Sequence, residues 1–335
     1  MKYTTLGKSG LTVSVVGLGG IPVQRIDVTA TKKLIDALIS KGVNFIDSAR
    51  GYTVSEEYLG EALSGRREKF ILATKSMARS AADMARDIDI SLKNFRTDHI
   101  ELYQLHNLGL KDIERAFADD GAVAAIQDAI RAGKVGHLGV TAHSPEALRK
   151  VLDYPEVETV MFPFNIVENQ AAEAMQIAKE RNIGFIAMKP LAGGNITNGR
   201  LAIRYILNDA NCTMAIPGMY CAEEVEQNTS AVDDLSPLTE AELAEIAAIR
   251  DKLSDNFCRR CGYCDPCTVG IDIPACFTMA NYLENYELAD WARSRYFSYQ
   301  AHAEDCIGCG KCEERCPYQL PIREKLQEIK VIFGK

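Results

Sequence analysis

The first 250 residues alternate short apolar runs with longer amphipathic stretches, and this alternation limits the fold more than any other feature. The longer stretches carry apolar residues at helical spacing, as in residues 30–42 and 81–95. The apolar runs that we interpret as strands are VSVVGLGG, VNFIDSA, KFILATK, IELYQLH, GHLGVTAH, TVMFPFN, GFIAMKP and CTMAIPG. Strands separated by helices pair in parallel, because each crossover needs a helix's length of chain. Eight such units predict an α/β fold, the (β/α)8 TIM barrel.

The segment that precedes the first of these runs predicts an additional β-hairpin. In YTTLGKSGLTV, residues 7–10 (Gly-Lys-Ser-Gly) separate two β-prone runs. Such a hairpin could cover the bottom of the barrel. A doubly wound open sheet is the alternative architecture, but a Gly-x-Gly-x-x-Gly turn does not follow the first strand.

Charge and hydropathy exclude some classes of partner. The chain has 38 basic and 46 acidic residues, for a net charge of -8, and no basic run that could follow a phosphate backbone. Neither a signal-peptide pattern nor an apolar run long enough to cross a bilayer is present in the sequence. We therefore expect a cytoplasmic protein that binds neither nucleic acid nor membrane.

The cysteines are concentrated at the C-terminal end. Of 11 cysteines, only Cys212 and Cys221 precede Ser254. In a reducing compartment such a cluster is more often metal-binding than disulfide-bonded. We expect two domains, a barrel over residues 1–253 and a small, mainly helical metal-binding domain over residues 254–335.

The last four cysteines, with the proline after them, have the spacing C-x2-C-x2-C-x3-C-P over residues 306–317. This pattern resembles bacterial ferredoxins, in which three cysteines bind one [4Fe–4S] cluster and the fourth binds the other cluster. A partner motif, CRRCGYCDPC, occupies residues 258–267. The resemblance implies two clusters with exchanged fourth ligands. The implied ligand sets are Cys306, Cys309, Cys312 and Cys267 for one cluster, and Cys258, Cys261, Cys264 and Cys316 for the other.

The first motif departs from the ferredoxin pattern. It has two residues instead of three before its last cysteine, and Thr268 replaces the proline. Cys276 is therefore an alternative ligand to Cys267, and a single cluster on the second motif is another alternative. Four thiolates can also bind zinc, although three consecutive C-x2-C spacings are unusual for one zinc site.

Polar residues end three successive predicted strands of the barrel. Asp47, Lys75 and His106 occupy these ends, and Tyr52 lies in the loop after the first of them. The chemistry of a (β/α)8 barrel gathers at the C-terminal ends of its strands. Each residue alone has an ordinary structural interpretation, but their joint placement predicts an active site.

In order and spacing, FIDSARGY, ATK and YQLH resemble the catalytic motifs of the aldo-keto reductases, and the resemblance covers roughly residues 1–250. It implies an NAD(P)-dependent oxidoreductase that transfers hydride between a cofactor and a small carbonyl or alcohol substrate. Tyr52 would be the general acid, and Lys75, held by Asp47, would favour its anion. His106 would orient the substrate carbonyl.

The nicotinamide-binding segments match this family less closely. Thr141 and Met161 replace the usual Ser and Gln, Met188 replaces a stacking aromatic residue, and Glu224 falls where an Arg commonly binds the NADP 2′-phosphate. A carboxylate there favours NADH, or little discrimination between NADH and NADPH. The alternative interpretation of residues 216–228 is simply the last barrel helix. The implied cofactor-binding residues are Thr141, Met188, Lys189, Pro190, Leu191, Gly193, Ile216, Gly218, Glu224, Gln227 and Asn228.

The two predicted domains carry electrons differently. Hydride moves two electrons together, whereas a cluster accepts one, so coupling needs a flavin, a radical-tolerant substrate or an external partner such as a ferredoxin or flavoprotein. Two alternatives are a nicotinamide-linked reductase with purely structural clusters, and an accessory subunit whose tail docks a partner. The complete Asp, Tyr, Lys and His set argues against the accessory subunit.

Overall fold

The computed structural model describes residues 1–254 and 256–334. By internal contacts the chain forms two compact units. The first contains Met1–Leu191 and Asn198–Leu238, and the second contains Ala192–Thr197 and the chain from Thr239 onward. Within the described residues, no helix combines the length and apolar content that a membrane crossing needs.

The first unit begins with the predicted hairpin. Strands β1 (Tyr3–Thr5) and β2 (Thr12–Ser14) pair antiparallel, with Tyr3 opposite Ser14. Gly7 in the turn has φ 56°, and a Cβ atom there would lie 2.2 Å from the backbone nitrogen of Gly184. Only glycine fits this contact. The hairpin therefore packs against the N-terminal end of a barrel strand, which is the bottom of the barrel.

Eight parallel strands follow within residues 1–254. They are β3 (Leu18–Gly19), β4 (Phe45–Asp47), β5 (Ile71–Ser76), β6 (Ile100–Leu105), β7 (Val135–Thr141), β8 (Thr159–Pro163), β9 (Gly184–Met188) and β10 (Met214–Ile216). Hydrogen bonds from Gly17 N to Ala215 O (2.9 Å) and from Gly19 N to Pro217 O (2.8 Å) connect the first strand to the last. The predicted (β/α)8 barrel is confirmed.

The first predicted strand differs in detail, because the run VSVVGLGG is divided between the hairpin and β3. Ser14 is the last residue of β2. Its hydroxyl donates to the carbonyl of Val16 (2.7 Å), and its backbone N–H donates to the side chain of Asn44 (2.7 Å). These bonds hold the chain at the point where it leaves the hairpin for β3.

The helices of the first unit lie between or after the barrel strands. They are α1 (Val28–Ser40), α2 (Ser55–Ala62), α3 (Ala81–Phe95), α4 (Ile113–Ala116), α5 (Ala122–Arg131), α6 (Pro145–Val151), α7 (Ala172–Glu180), α8 (Gly199–Leu207) and α9 (Ala222–Thr229). Side chains of Asp27, Ser80, Ser144 and Asn198 accept backbone N–H bonds at the starts of α1, α3, α6 and α8. These caps explain where the helices begin.

Apolar side chains fill the barrel and the layer around it. The interior cluster includes Phe45, Leu102, Met161, Ile186 and Met214. A larger cluster packs between the strands and the helices. Because both faces of the strands are buried, the strand ends form a rigid frame for the polar residues that follow them.

The second unit is mainly helical. Its helices are α10 (Glu240–Leu253), α11 (Ile273–Asn285), α12 (Ala289–Tyr296), α13 (Lys311–Glu314) and α14 (Ile322–Phe333). In its core the rings of Tyr296 and Phe333 stack at 4.0 Å between centroids. The predicted boundary at residue 253 falls at the end of α10, and the contacts of this helix place it in the second unit.

Candidate active site and cysteine sites

A buried ion pair joins the ends of β4 and β5. Lys75 Nζ donates to Asp47 Oδ2 (2.5 Å) and to the carbonyl oxygen of Ser48 (2.6 Å). Asp47 and Lys75 are each 2% exposed. Parallel pairing brings them together, since Asp47 is level with Ala73 in β5 and Lys75 lies two residues further along.

Tyr52 and His106 complete this group. Lys75 Nζ lies 4.8 Å from the centroid of the Tyr52 ring. The His106 ring meets the Tyr52 ring edge-on, with centroids 5.9 Å apart and an interplanar angle of 90°. The structure thus brings all four predicted catalytic residues together at the C-terminal ends of β4, β5 and β6.

Burial has opposite effects on the two charged members of the ion pair. It raises the pKa of Asp47 and lowers the pKa of Lys75, while their mutual attraction and hydrogen bond oppose both shifts. In such a desolvated place the field of an ammonium group is weakly screened. A charged Lys75 therefore acts strongly on the neighbouring Tyr52 ring.

Gln104 is a residue of this site that the sequence analysis missed. Its Nε2 donates to Asp47 Oδ1 (3.0 Å), so both carboxylate oxygens of Asp47 have partners. Gln104 is fully buried in β6, two residues before His106. A polar side chain inside an apolar strand, on the same face as His106, is the signal that could have identified it.

Arg79 and Asn107 fix the segment that carries His106. Arg79 Nη2 donates to the carbonyl oxygens of His106 (2.9 Å) and Asn107 (3.0 Å). The backbone N–H of Asn107 donates to Thr141 Oγ1 (2.7 Å), and Asn107 Oδ1 pairs with His143 Nδ1 (2.8 Å). The Thr141 hydroxyl, a predicted cofactor contact, therefore already accepts a hydrogen bond from the protein.

The predicted cofactor residues near β9 and β10 differ in exposure. Met188 and Ile216 belong to the apolar interior cluster. Lys189 has φ 56°, and its carbonyl oxygen accepts from Asn165 Nδ2 (2.9 Å). Pro190 is buried and Leu191 half-buried, as is Gly218.

Gly193 belongs to the second unit. Its carbonyl oxygen accepts from Asn281 Nδ2 of α11 (3.2 Å). Gly193 has φ 67°, and a Cβ atom there would lie 2.6 Å from Asn281 Nδ2. The structure thus gives this glycine a packing partner in α11, and its predicted phosphate contact stays a prediction.

Glu224 is held at the start of α9. Its Oε2 accepts from the backbone N–H of Tyr220 (2.9 Å). Burial raises the pKa of Glu224, and the positive charge of Arg25, which stacks on the Tyr220 ring at 4.2 Å, acts in the opposite direction.

Further along α9, the two predicted adenine contacts differ. Gln227 is exposed, whereas Asn228 is 1% exposed. In the described part of the chain, Asn228 Oδ1 has no hydrogen-bond partner.

The second unit contains two small cavities, and four cysteines line each of them. We call them the Cys264 site (Cys258, Cys261, Cys264 and Cys316) and the Cys309 site (Cys267, Cys306, Cys309 and Cys312). The grouping is the one that exchange of the fourth cysteine implies. Among residues 1–254 and 256–334, no three His, Cys, Asp or Glu side chains form a site for a single metal ion.

The donor chemistry of both sites fits a [4Fe–4S] cluster, which binds four cysteine thiolates. Cys276, the alternative ligand, lines neither cavity and is fully buried. Burial raises its pKa to about 12, with smaller contributions from Asp272, Glu304 and Cys267. The pKa of Cys264 is also raised to about 12, first by burial and then by the charges of Asp265, Cys258 and Cys261. Four ionised thiols around one cavity therefore need a cationic group between them.

Comparison with known proteins confirms both resemblances. Residues 15–201 match the Aldo/keto reductase family, and residues 257–321 match a 4Fe-4S dicluster domain. The oxidoreductase YqkF of Bacillus subtilis, described as uncharacterized, is 26% identical over 267 residues, which are 74% of this chain and 83% of YqkF. YrpG of the same organism, described in the same way, is 31% identical over 226 residues, 58% of this chain and 68% of YrpG. In fold, the chain is similar to the holo form of the aldo-keto reductase AKR11C1 from Bacillus halodurans. Their TM-score is 0.65 at 24% identity, covering 74% of this chain and 96% of the other.

Proposed function

Because the chain belongs to the aldo/keto reductase family and carries a 4Fe-4S dicluster domain, we propose that it is an NAD(P)-linked oxidoreductase that interconverts a small carbonyl compound and its alcohol. The observation that carries this proposal is the buried Lys75, bonded to Asp47 and 4.8 Å from the Tyr52 ring centroid. A scaffold or docking subunit has no need for a buried lysine beside a tyrosine.

Tyr52 is the proposed proton donor to the carbonyl oxygen during reduction, and the proton acceptor during alcohol oxidation. A phenol has a reference pKa of about 10 and is a weak acid near neutrality. The ammonium group of Lys75 stabilises the phenolate that remains after the proton has left. Asp47 and the Ser48 carbonyl hold Lys75 in place, and Gln104 holds Asp47.

His106 is proposed to orient the substrate. Its ring lies edge-on to that of Tyr52, so a carbonyl oxygen that reaches the tyrosine also comes near the imidazole. A hydrogen bond from His106 would stabilise negative charge that develops on this oxygen.

The residues proposed to hold a nicotinamide dinucleotide in the first unit are Thr141, Met188, Lys189, Pro190, Leu191, Ile216, Gly218, Glu224, Gln227 and Asn228. The buried Asn228 Oδ1, which lacks a partner in the described residues, supports an adenine amino group as its donor. The chemistry that a bound nicotinamide supplies here is hydride transfer. Glu224 favours NADH or weak discrimination, and the charge of Arg25 moderates its repulsion of a 2′-phosphate.

For the second unit we propose two [4Fe–4S] clusters that serve electron transfer, one at the Cys264 site and one at the Cys309 site. The chemistry that such clusters supply is one-electron transfer, so a flavin or an external ferredoxin or flavoprotein is the proposed link to two-electron chemistry. A specific observation favours a second candidate role. The buried Cys264, Cys276 and Cys312 belong to the core of the unit, so cluster binding would also stabilise its fold.

An anaerobic experiment tests the reductase proposal and shows whether nucleotide reduces the clusters. Protein with its iron intact is mixed with NADH or NADPH, first alone and then with a panel of aldehydes and ketones. We expect oxidation of the nucleotide only when a carbonyl compound is present. Bleaching of the iron–sulfur absorption by nucleotide alone would support electron transfer from nicotinamide to the clusters. Unchanged clusters that dithionite reduces would support either the structural role or a separate electron donor. Failure to oxidise either nucleotide with any carbonyl compound would contradict the reductase proposal.

A further inference from the structure

The two cysteine sites differ in the charges around them. Three basic side chains, Lys311, Arg315 and Arg323, line the Cys309 site. One basic side chain, Arg259, lines the Cys264 site, where the remaining lining is largely aromatic and aliphatic. Among the residues that the structure describes, no carboxylate lines either cavity.

The cations at the Cys309 site are only partly neutralised. Arg323 forms an ion pair with Glu313 (2.7 Å). Arg315 instead donates to the carbonyl oxygens of Asp265 (2.7 Å) and Pro266 (3.2 Å), which leaves its full positive charge. Two or more positive charges therefore act on the Cys309 site, whereas Arg259 at the other site stacks on the Tyr318 ring at 4.0 Å.

A hydrogen bond to a cysteine sulfur adds to this difference. Thr268, which replaces the proline of the ferredoxin pattern, places its hydroxyl 3.5 Å from Cys309 Sγ. A hydroxyl can donate to a thiolate, whereas proline has no donor. Each site has one buried cysteine, Cys312 or Cys264, but only the Cys309 site has an exposed one, Cys309 itself.

Reduction of a cluster adds one negative charge. Nearby cations, hydrogen bonds to the sulfur atoms and contact with water all stabilise that charge and raise the reduction potential. All three differences predict a higher reduction potential for a cluster at the Cys309 site than for one at the Cys264 site. With the proposed electron-transfer function as premise, we propose that the Cys309 site binds the cluster of higher potential, so that the first electron to enter the protein resides there.

The electron count is simple. Each cluster gains one electron from an external low-potential donor, no bond between heavy atoms forms or breaks, and no proton is required. The two clusters would therefore be reduced in two one-electron steps, and the Cys309 site would account for the first.

The test is a redox titration of the complete iron-loaded protein, followed by EPR with dithionite and mediators, without any carbonyl substrate. Thr268→Val keeps the shape of the side chain and removes the donor. Lys311→Met keeps the length of the side chain and removes the charge. We expect each variant to lower the midpoint of the first step, by about 59 mV for a tenfold loss in the reduction equilibrium, and to leave the second step nearly unchanged. Thr268→Ser retains a hydroxyl, so its first reduction step should keep the wild-type midpoint potential.

Arg259→Met is the matched control, because it removes the one cation that lines the Cys264 site. It should lower the midpoint potential of the second reduction step and leave that of the first unchanged. The proposal is overturned if the first step responds to Arg259→Met and not to Lys311→Met, if the two sites titrate together, or if the chain binds no cluster. If Thr268→Val fails to retain iron, Lys311→Met decides the assignment alone. These outcomes are independent of carbonyl turnover, so they do not depend on the catalytic role proposed for Tyr52.

Discussion

The barrel site and the cysteine sites balance their charges in different ways. In the barrel, the positive charge of Lys75 is met by Asp47, and both oxygens of Asp47 accept hydrogen bonds from the protein. In the second unit, each cavity gathers four thiols, and the basic residues around it number one at one site and three at the other. The polypeptide alone therefore balances the charges of the ion pair in the barrel, whereas the thiols of the second unit are suited to a metal cluster as their counterion. This comparison predicts that loss of iron affects the second unit and spares the barrel, whereas loss of Tyr52 affects the barrel reaction and spares the second unit.

Removal of the clusters should have the largest effect. We expect Cys264→Ser combined with Cys312→Ser, or iron chelation, to abolish cooperative unfolding of residues 239–334, because metal binding supplies on the order of 10 kcal/mol to small metal-dependent domains. Hydrogen exchange measured by mass spectrometry should show loss of protection there and retention in the barrel strands.

Cys276→Ala is the matched control for this experiment, because Cys276 is buried in the same core but lines neither cavity. It should retain all of the iron. An equal loss of iron in Cys276→Ala would show that the ligand sets are wrong.

Tyr52→Phe should have the next largest effect, on the barrel alone. Loss of a general acid typically costs 10²- to 10⁴-fold in rate, and we expect kcat for carbonyl reduction to fall within about that range. Iron content and the iron–sulfur spectrum should remain those of the wild type. Retention of more than about a tenth of the wild-type kcat would contradict a proton-transfer role for Tyr52.

Asp47→Asn should shift the pH dependence of the barrel reaction. Asp47 raises the pKa of Lys75, in opposition to burial, which lowers it. Without the carboxylate, the ammonium group should lose its proton at a lower pH. We expect the alkaline limb of the kcat profile to move down by about one to three pH units, the usual effect of one neighbouring charge. An unchanged limb, or one that moves to higher pH, would show that Lys75 does not control it.

Glu224→Gln should have the smallest effect, on the choice of nucleotide. Partly exposed charge interactions contribute about 0.2–1 kcal/mol, so we expect binding of NADPH to improve up to about fivefold relative to NADH. Because burial raises the pKa of Glu224, the comparison belongs at alkaline pH, which favours the ionised carboxylate. If the wild type and Glu224→Gln have the same ratio of dissociation constants for NADPH and NADH, Glu224 does not determine the choice of nucleotide.

Much of the barrel site could be predicted because its residues follow strands in the sequence. Asp47, Lys75 and His106 each end an apolar run, and parallel strands bring such ends to one side of a sheet. Gln104 was missed, because its role depends on pairing with β5 and on the direction of its side chain in β6. The polar residue within an apolar run was visible in the sequence, but its hydrogen bond to Asp47 exists only in the folded sheet.

The cysteine grouping was also predictable, since two spaced motifs implied the exchange of Cys267 and Cys316. The difference in charge between the two sites could not be predicted from the sequence. The positions of Arg315 and Arg323 at one cavity depend on how α13 and α14 pack. The contact between Gly193 and Asn281 joins residues 88 positions apart, and nothing local in the sequence indicates it.

The most direct test of the central claim follows the hydrogen that reaches the substrate. The iron-loaded protein reduces an aromatic aldehyde such as 4-nitrobenzaldehyde in ordinary water, with NADH or NADPH deuterated at C4 of the nicotinamide on both faces. Mass spectrometry of the alcohol then locates the deuterium. Hydride transfer in the barrel, with Tyr52 as proton donor, predicts one deuterium on the carbinol carbon of each product molecule. Product with no deuterium on that carbon, formed while the clusters are reduced and reoxidised, would contradict the account and assign the reduction to single electrons from the second unit.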